Sequence, residues 1–443
     1  MYIRAYKTVD DSTIIETYTE IKNLSFVPST DLVGASVPIN EFEVDIHTTD
    51  TIEIGAYVEL YDDNDRLWAS YWAIYAEHID IHTLRLRCQS NIAILDRVKL
   101  PAIYYESMPV DDVLFDTILW KFGASDSHVP MTYSLDSSFN SVDITGFCPE
   151  QTARERLTWV CFVIGAYVKT YFNNEIEILP IDNTETLIPI SKTYWKPINL
   201  YNDWVTAIVA KAYSFTLGEP SVTDEYVKDY WDDYYIVTET TITLENPDAP
   251  SAAPDNVVMI DDVYLINNDN VSALLSRLAQ WYFKRMEVNL EVINNGDYIP
   301  AEKVVVYLDD AHMVTGYINS AEFSFGKQSK SKLHMTAVDN KEGGNLTIFY
   351  LYESTQIEFR TYLFPVGYSY TITNPYLDKY LDMHRYVFRP LNENATGTIV
   401  SGDNTNTQSY DIALDLYESV LHIISVDQVT EDESSEIVIG VIA

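Results

Sequence analysis

The most metal-like cluster in the chain is Glu77-His78-Ile79-Asp80-Ile81-His82. On a strand, His78, Asp80 and His82 fall on one face, and two imidazoles with a carboxylate can hold zinc. No fourth ligand and no water-activating base is evident, so the run also reads as the polar face of an exposed strand. Asp62-Asp63-Asn64-Asp65 offers oxygens for calcium. An EF-hand loop needs a central glycine and a distal glutamate, and neither is in register. The cluster reads instead as a hairpin turn between apolar runs. Glu150 and Glu155 form a carboxylate pair, but they flank a helix start, where the helix dipole favours acids. The tract Asp224 to Tyr235 mixes Tyr, Trp and acids. A carbohydrate site needs aromatic platforms beside carboxylates, and a protein interface needs Tyr and Trp anchors; both fit, and the interface is the commoner use.

Other chemistry has no carrier in the sequence. There is no G-x-S-x-G, no H-E-x-x-H and no C-x-x-C, and fifteen glycines leave little room for a phosphate-cradling loop. Cys88, Cys148 and Cys161 lack metal spacing, and an odd count argues against a disulfide framework. They read as small apolar core residues. The reading is therefore a non-enzymatic chain, with no catalytic, cofactor-binding or metal residue and no cofactor.

Charge narrows the partners. The 443 residues hold 67 acids against 28 bases, for a net charge of −39. A nucleic-acid grip neutralises phosphates with Lys and Arg, so a direct one is not expected. An anionic membrane surface would be repelled. No apolar run of about 18 residues exists for membrane insertion, and the first residues lack the apolar region of a signal peptide. Synthesis in a reducing cytoplasm is expected, with any export by a route other than a signal peptide.

The elements that would position these residues are mostly strands. Hydrophobic residues make up 47%, with 34 Tyr and 8 Trp, a composition suited to half-buried pleated surfaces. Period-two alternation marks Phe42, Val44 and Ile46, then Ile52, Ile54, Ala56, Val58 and Leu60, then Leu84, Leu86 and Cys88. This predicts a small antiparallel barrel or sandwich ending near Leu100-Pro101. Helical spacing follows. Pro109 opens a run with Val110, Val113, Leu114 and Ile118, stopped at Gly123. Pro149 opens another with Ala153, Leu157, Val160, Cys161 and Ile164, stopped at Gly165. A hairpin over Ala166–Phe172 and Glu175–Leu179 turns at Asn173-Asn174.

Strands resume after Trp195, with residues 219–262 expected as an exposed loop, clearest over Pro247–Asp255. The best helix places Val271, Leu274, Leu275, Leu278, Tyr282 and Phe283 on one face, capped by Asp269 or Asn270. Val304, Val306 and Leu308 begin a further hairpin set through Tyr317-Ile318 and Phe323-Ser324-Phe325. Gly343-Gly344 marks a boundary before a β-rich end with turns at Asn374-Pro375 and Asn392–Asn394. The domains are thus 1–100, 101–195, 196–345 and 346–443. The fold class is mainly β with an α+β insert.

Two hairpins share a grammar. Tyr57–Asp63 returns through Ala73–Glu77, and Val304–Asp310 returns through Tyr317–Glu322. In each, an apolar strand meets a double-Asp turn and the return strand ends on a Glu. A duplicated β domain lets a few subunits form a ring of twice their own symmetry.

The order of parts resembles the baseplate hub proteins of contractile phage tails and R-type bacteriocins, the late-control-protein-D type, over roughly residues 20–345. The carriers are Phe42–Ile46 leading into Asp62-Asp63; Thr152–Leu157 through Gly165–Val168; a helix over Val271–Glu287; and Val314–Ile318 leading into Phe325–Ser329. Leu363–Tyr370 and Tyr386–Pro390 resemble a small β-grasp-type appendage. The resemblance implies a homotrimer in which 1–100 and 196–345 are two similar β-barrel-like tube domains. They would build a pseudo-six-fold ring between the tail tube protein and the central spike protein, beside other baseplate proteins, in a particle later released from the cell. Asp in place of Tyr317 or Phe325 would then block particle assembly. The rival reading is a tail protein that binds or cleaves cell-wall glycan through tract 224–235 or the C-terminal domain; two carboxylates across a cleft would be needed for cleavage.

Overall fold

The alternation in the first hundred residues becomes seven strands in the computed structural model. These are β1 (Tyr2–Tyr6), β2 (Ile14–Tyr18), β3 (Ile21–Phe26), β4 (Glu41–His47), β5 (Tyr57–Tyr61), β6 (Leu67–Asp80) and β7 (Thr83–Gln89). The structure describes residues 1–6, 14–119, 132–172, 175–188, 193–194, 198–200, 204–251, 253–284, 286–294, 296–307, 313–325, 330–341, 363–364, 389–390, 396–403, 406–417 and 420–432. The chain is mainly β, as its composition implied.

Strands β4 and β7 pair with Phe42 opposite Cys88, Val44 opposite Leu86 and Ile46 opposite Leu84. All six are buried, so one face of the pair is apolar. On the other face Glu43 stands opposite Arg87 and Asp45 opposite Arg85, a ladder of opposite charges. Arg85 donates to Asp45 from Nε (2.8 Å) and Nη2 (3.1 Å), and Asn23 adds a third bond (3.0 Å). The Arg85 hydrogen bonds hold the Asp45 carboxyl below the usual carboxylate range.

The strand expected over Ile52–Leu60 begins only at Tyr57. Gly55 takes φ +92°, a left-handed conformation that glycine adopts without steric cost. Its N–H donates to the Ala73 carbonyl (2.7 Å), and Ala56 N–H donates back to Glu53 (3.1 Å). The chain therefore turns at this point, leaving Ile54 71% exposed while Ile52 stays buried.

The next segment is α+β. It runs α1 (Ile92–Leu95), β8 (Lys99–Leu100), β9 (Ile103–Pro109), α2 (Val110–Leu119), β10 (Tyr133–Leu135), β11 (Asp143–Cys148), β12 (Gln151–Thr152), α3 (Ala153–Ile164), β13 (Ala166–Lys169) and β14 (Ile176–Pro180). Its core gathers Tyr105, Val110, Leu114, Leu157, Val160 and Ile178 among others. Helix α3 starts four residues later than Pro149 would place it. Thr152 is the N-cap: its hydroxyl accepts from Glu155 N–H (3.1 Å), and the Glu155 carboxylate accepts from Thr152 N–H (2.7 Å). This reciprocal pair satisfies two orphan donors and outweighs the proline. Gly165 closes the helix at φ +80°.

Beyond lie β15 (Glu185–Ile188), β16 (Thr193–Tyr194), β17 (Ile198–Leu200), β18 (Ala207–Leu217), β19 (Tyr226–Lys228), β20 (Tyr234–Glu245) and β21 (Val257–Ile260). Residues 219–262 thus contain three strands, β19, β20 and β21. With β18 they form the four-stranded sheet β19-β20-β18-β21, with a turn between β19 and β20 and a longer loop between β20 and β21. Tyr234–Glu245 is rich in Thr, Val and Ile, and its eleven-residue register with β18 overrides the acidic, loop-like composition around it.

Helix α4 (Val271–Tyr282) packs Val271, Leu274, Leu275 and Leu278 against Ile208, Ala210 and Ala212 of β18. Asn270 takes the cap position without a side-chain cap bond; its amide donates to Leu265 and its oxygen accepts from Asn267 N–H. The helix does not extend to Glu287, which lies in β22 (Met286–Ile293). There Val288, Leu290 and Val292 are buried at period two, and the strand pattern takes over. The chain continues through β23 (Lys303–Tyr307), β24 (Met313–Ser324) and β25 (Lys330–Lys341). One large sheet runs β16-β22-β25-β24-β3-β4-β7-β6-β5-β1-β2.

The chain divides into two compact units. One holds Met1–Thr186, Ser191–Val304 and Gly316–Asp339; the other holds Leu187–Ile190, Val305–Thr315 and Asn340–Ala443. In the second, β26 (Leu363–Phe364) pairs in parallel with β27 (Arg389–Pro390), and β28 (Thr396–Asp403), β29 (Asn406–Tyr417) and β30 (Val420–Asp432) form an antiparallel sheet. Gly123, Asn173-Asn174, Trp195, Leu308-Asp309-Asp310, Gly326–Ser329, Gly343-Gly344, Asn374-Pro375 and Asn392–Asn394 lie outside the described residues, as does most of Leu363–Tyr370 and Tyr386–Pro390.

Candidate assembly surfaces

The histidine cluster separates once the hairpin forms. His78 lies on β6 and its Nε2 contacts the Asp50 carbonyl (2.9 Å), while His82 sits in the turn after the strand. Asp80 accepts from His82 N–H (2.7 Å), and that bond holds its carboxyl below the usual range. The His82 ring lies 5.7 Å from His47. Among the described residues no group of three or more His, Cys, Asp or Glu is placed to hold a metal ion.

Asp62–Asp65 forms a tight turn between β5 and β6. Asp62 Oδ1 accepts from Asn64 N–H (2.8 Å) and Arg66 N–H (3.0 Å), and Oδ2 accepts from the Trp68 indole (3.2 Å). Its oxygens are thus engaged within the turn. Glu155 is the capping-box acid of α3, and Glu150 pairs loosely with Lys99 at 3.9 Å. The three cysteines are free and buried, and burial pushes the Cys148 and Cys161 thiols up to about 12.

Tyr317 and Phe325 are not surface residues. Tyr317 is 8% exposed, its ring 4.8 Å from Trp281 and its hydroxyl bonded to Asn183. Phe325 is half-buried, edge-on to Trp68 at 5.1 Å and stacked on Phe323 at 6.1 Å. Alternation put both aromatics on strands but did not say which side was covered. Substituting Asp at either position would test folding before assembly.

The tract 224–235 does reach the surface. It forms the hairpin of β19 and β20, with Tyr226, Tyr230 and Trp231 exposed. Its base is an aromatic seam absent from any single sequence motif. Tyr104 of β9 lies 4.5 Å from Tyr235 and 5.7 Å from Phe215, and Phe147 of β11 lies 6.1 Å from Phe215. Tyr264 packs edge-on to Tyr213 at 4.8 Å. These rings fasten the four-stranded sheet to the α+β segment. Burial, then the charge of Asp229, pushes the Tyr235 hydroxyl up to about 12. Contributions from β9, β11, β18 and β20 explain why the seam left no local signal.

No family model and no curated protein matches the chain. Solved structures do. A tail protein from Neisseria meningitidis MC58 aligns at 12% identity with a TM-score of 0.52, covering 76% of this chain and 96% of its own. A prophage tail protein from Listeria monocytogenes EGD-e aligns at 10% identity and 0.50, covering 75% and 94%. Across about three quarters of its length, the chain shares the fold of these tail proteins.

Proposed function

We propose that the chain is a structural, non-enzymatic baseplate hub of a contractile injection particle, a phage tail or an R-type bacteriocin. The observation that carries this reading is the shared fold, which takes in nearly the whole of the Neisseria and Listeria tail proteins. In it a homotrimer joins the six-fold tail tube to the three-fold central spike. Residues 1–100 and 196–345 act as two tube domains flanking the α+β insert 101–195, with 346–443 a separate C-terminal domain. Strands of the two tube segments adjoin where Phe26 and Ser25 of β3 pair with Phe323 and Ser324 of β24. Strand pairing and buried aromatics supply the contact energy between subunits. The −39 of one copy, tripled in a trimer, lets an anionic polymer pass a central channel without sticking if acids line it.

Light scattering of the purified chain, alone and with tube and spike proteins, tests the reading, and a low-resolution image of the particle locates it. A trimer, alone or formed with those partners, at the tip of a tube is the expected result. A monomer that instead pulls down purified cell wall would make glycan binding the main role.

A further inference from the structure

The loop between β19 and β20 is a short, stiff projection. Asp229, only 7% exposed, accepts from the backbone N–H of Trp231 (2.9 Å) and of Asp233 (3.0 Å), and from the Tyr235 hydroxyl (3.4 Å). Asp229 N–H donates to the Asp233 carbonyl (3.0 Å), closing the turn. Tyr230 N–H donates to the Ala102 carbonyl (2.8 Å), tying the loop to the segment before β9. The backbone is thus set by internal bonds and stands on the aromatic seam. From it Tyr230 and Trp231 project 62% and 70% exposed, their rings 5.3 Å apart at 75°. Large aromatics on a preordered backbone bury much area while losing few rotamers, which is how binding anchors are built.

Charge selects what covers them. Asp232 and Asp233 are exposed in the turn itself, Asp224 and Glu225 precede β19, and the tract's lone base, Lys228, pairs with Asp232 at 2.7 Å. Phosphate polymers and anionic lipid are repelled. The same acidic tip on a second copy is disfavoured for the same reason. A sugar ring seeks a flat aromatic face laid open in a cleft, whereas these two rings stand edge to face on a projecting turn.

We propose that the Tyr230–Trp231 tip is a plug that seats in an apolar pocket rimmed by Lys and Arg on a different protein of the same particle. This rests on the assembly reading above.

The test is photo-cross-linking in intact particles, with p-benzoylphenylalanine installed in place of Trp231. The expected result is a cross-linked peptide from another particle protein, with Lys or Arg beside the linked residue. The double variant Trp231→Ala, Asp232→Lys should then lower recovery of that protein with the chain at least tenfold. A cross-link into another copy of this chain overturns the proposal. So does the absence of any cross-link while the chain's own peptides are present in the particles; the assembly reading survives that result. Binding of the wild-type chain to purified cell wall, lost in Trp231→Ala, overturns it in favour of a glycan. Particles that lack the chain altogether overturn both readings.

Discussion

Phe26 and Phe323 are register partners across the β3–β24 pair, with rings 6.0 Å apart and 23° from parallel. Trp68 stands edge-on to both, at 6.1 and 4.8 Å. The Arg66 guanidinium covers the outer side of this cluster, 4.5 Å from the Phe172 ring and 5.6 Å from Trp68. Early and late strands of the sheet are therefore joined by packing as much as by their backbone pairing.

Truncating Phe323 to Ala removes a ring that is buried against Phe26 and Trp68. A loss of about 3–5 kcal/mol is expected from lost burial and the cavity left behind. Urea unfolding measures it. An unchanged midpoint would mean that the β3–β24 junction contributes little.

The capping box of α3 is a smaller device. Thr152→Ala should lower stability by about 1 kcal/mol, and Thr152→Ser should keep most of it. The denaturant midpoint should move while the slope stays constant, because no core contact changes.

Gly146 has φ +147°, and a Cβ there would lie 2.5 Å from the Tyr264 carbonyl and 2.9 Å from Leu265 Cα. Both obstacles are backbone, so neither can swing aside. Gly146→Ala should destabilise by about 1–3 kcal/mol, seen as a lower melting temperature.

Burial pushes the Glu302 carboxyl up to about 7, with Asp297 adding and the Ile299 N–H, Arg66 and Lys169 opposing. The folded-state value lies above the ordinary 4.5. The stability this group contributes is therefore fully present below about pH 4.5 and lost as pH rises through about 7. Glu302→Gln keeps an acceptor for Ile299 N–H but cannot ionise. Its melting temperature should fall less between about pH 5 and pH 8 than that of the wild type. Parallel curves for the two proteins would show that Glu302 titrates normally.

Tyr317 and Trp231 separate folding from surface recognition. Tyr317→Asp places a charge beside Trp281 and should cost more than about 3 kcal/mol, with the soluble yield falling accordingly. Trp231→Ala removes an exposed ring and should leave stability within about 0.5 kcal/mol. Thermal melts of the two variants, run together, distinguish them.

Local pattern was enough for much of the chain. Period two in Phe42, Val44 and Ile46 and in Leu84, Leu86 and Cys88 specified paired strands. Spacing specified the inward faces of α2, α3 and α4, and the Asp62–Asp65 turn followed from its residue types. Strands and helices of this kind announce themselves because the repeat of the backbone dictates which side chains share a face. Sequence alone could not say which faces are covered or by what. Tyr317 lies inside and Trp231 outside, although both are aromatics in strand-rich segments. Tyr234–Glu245 became a strand because β18 supplies an eleven-residue partner. Asp45 is buried because Arg85 and Asn23 meet its carboxylate. Each of these outcomes depends on a group distant in the chain, and burial is a property of the packed neighbours, which no local repeat encodes.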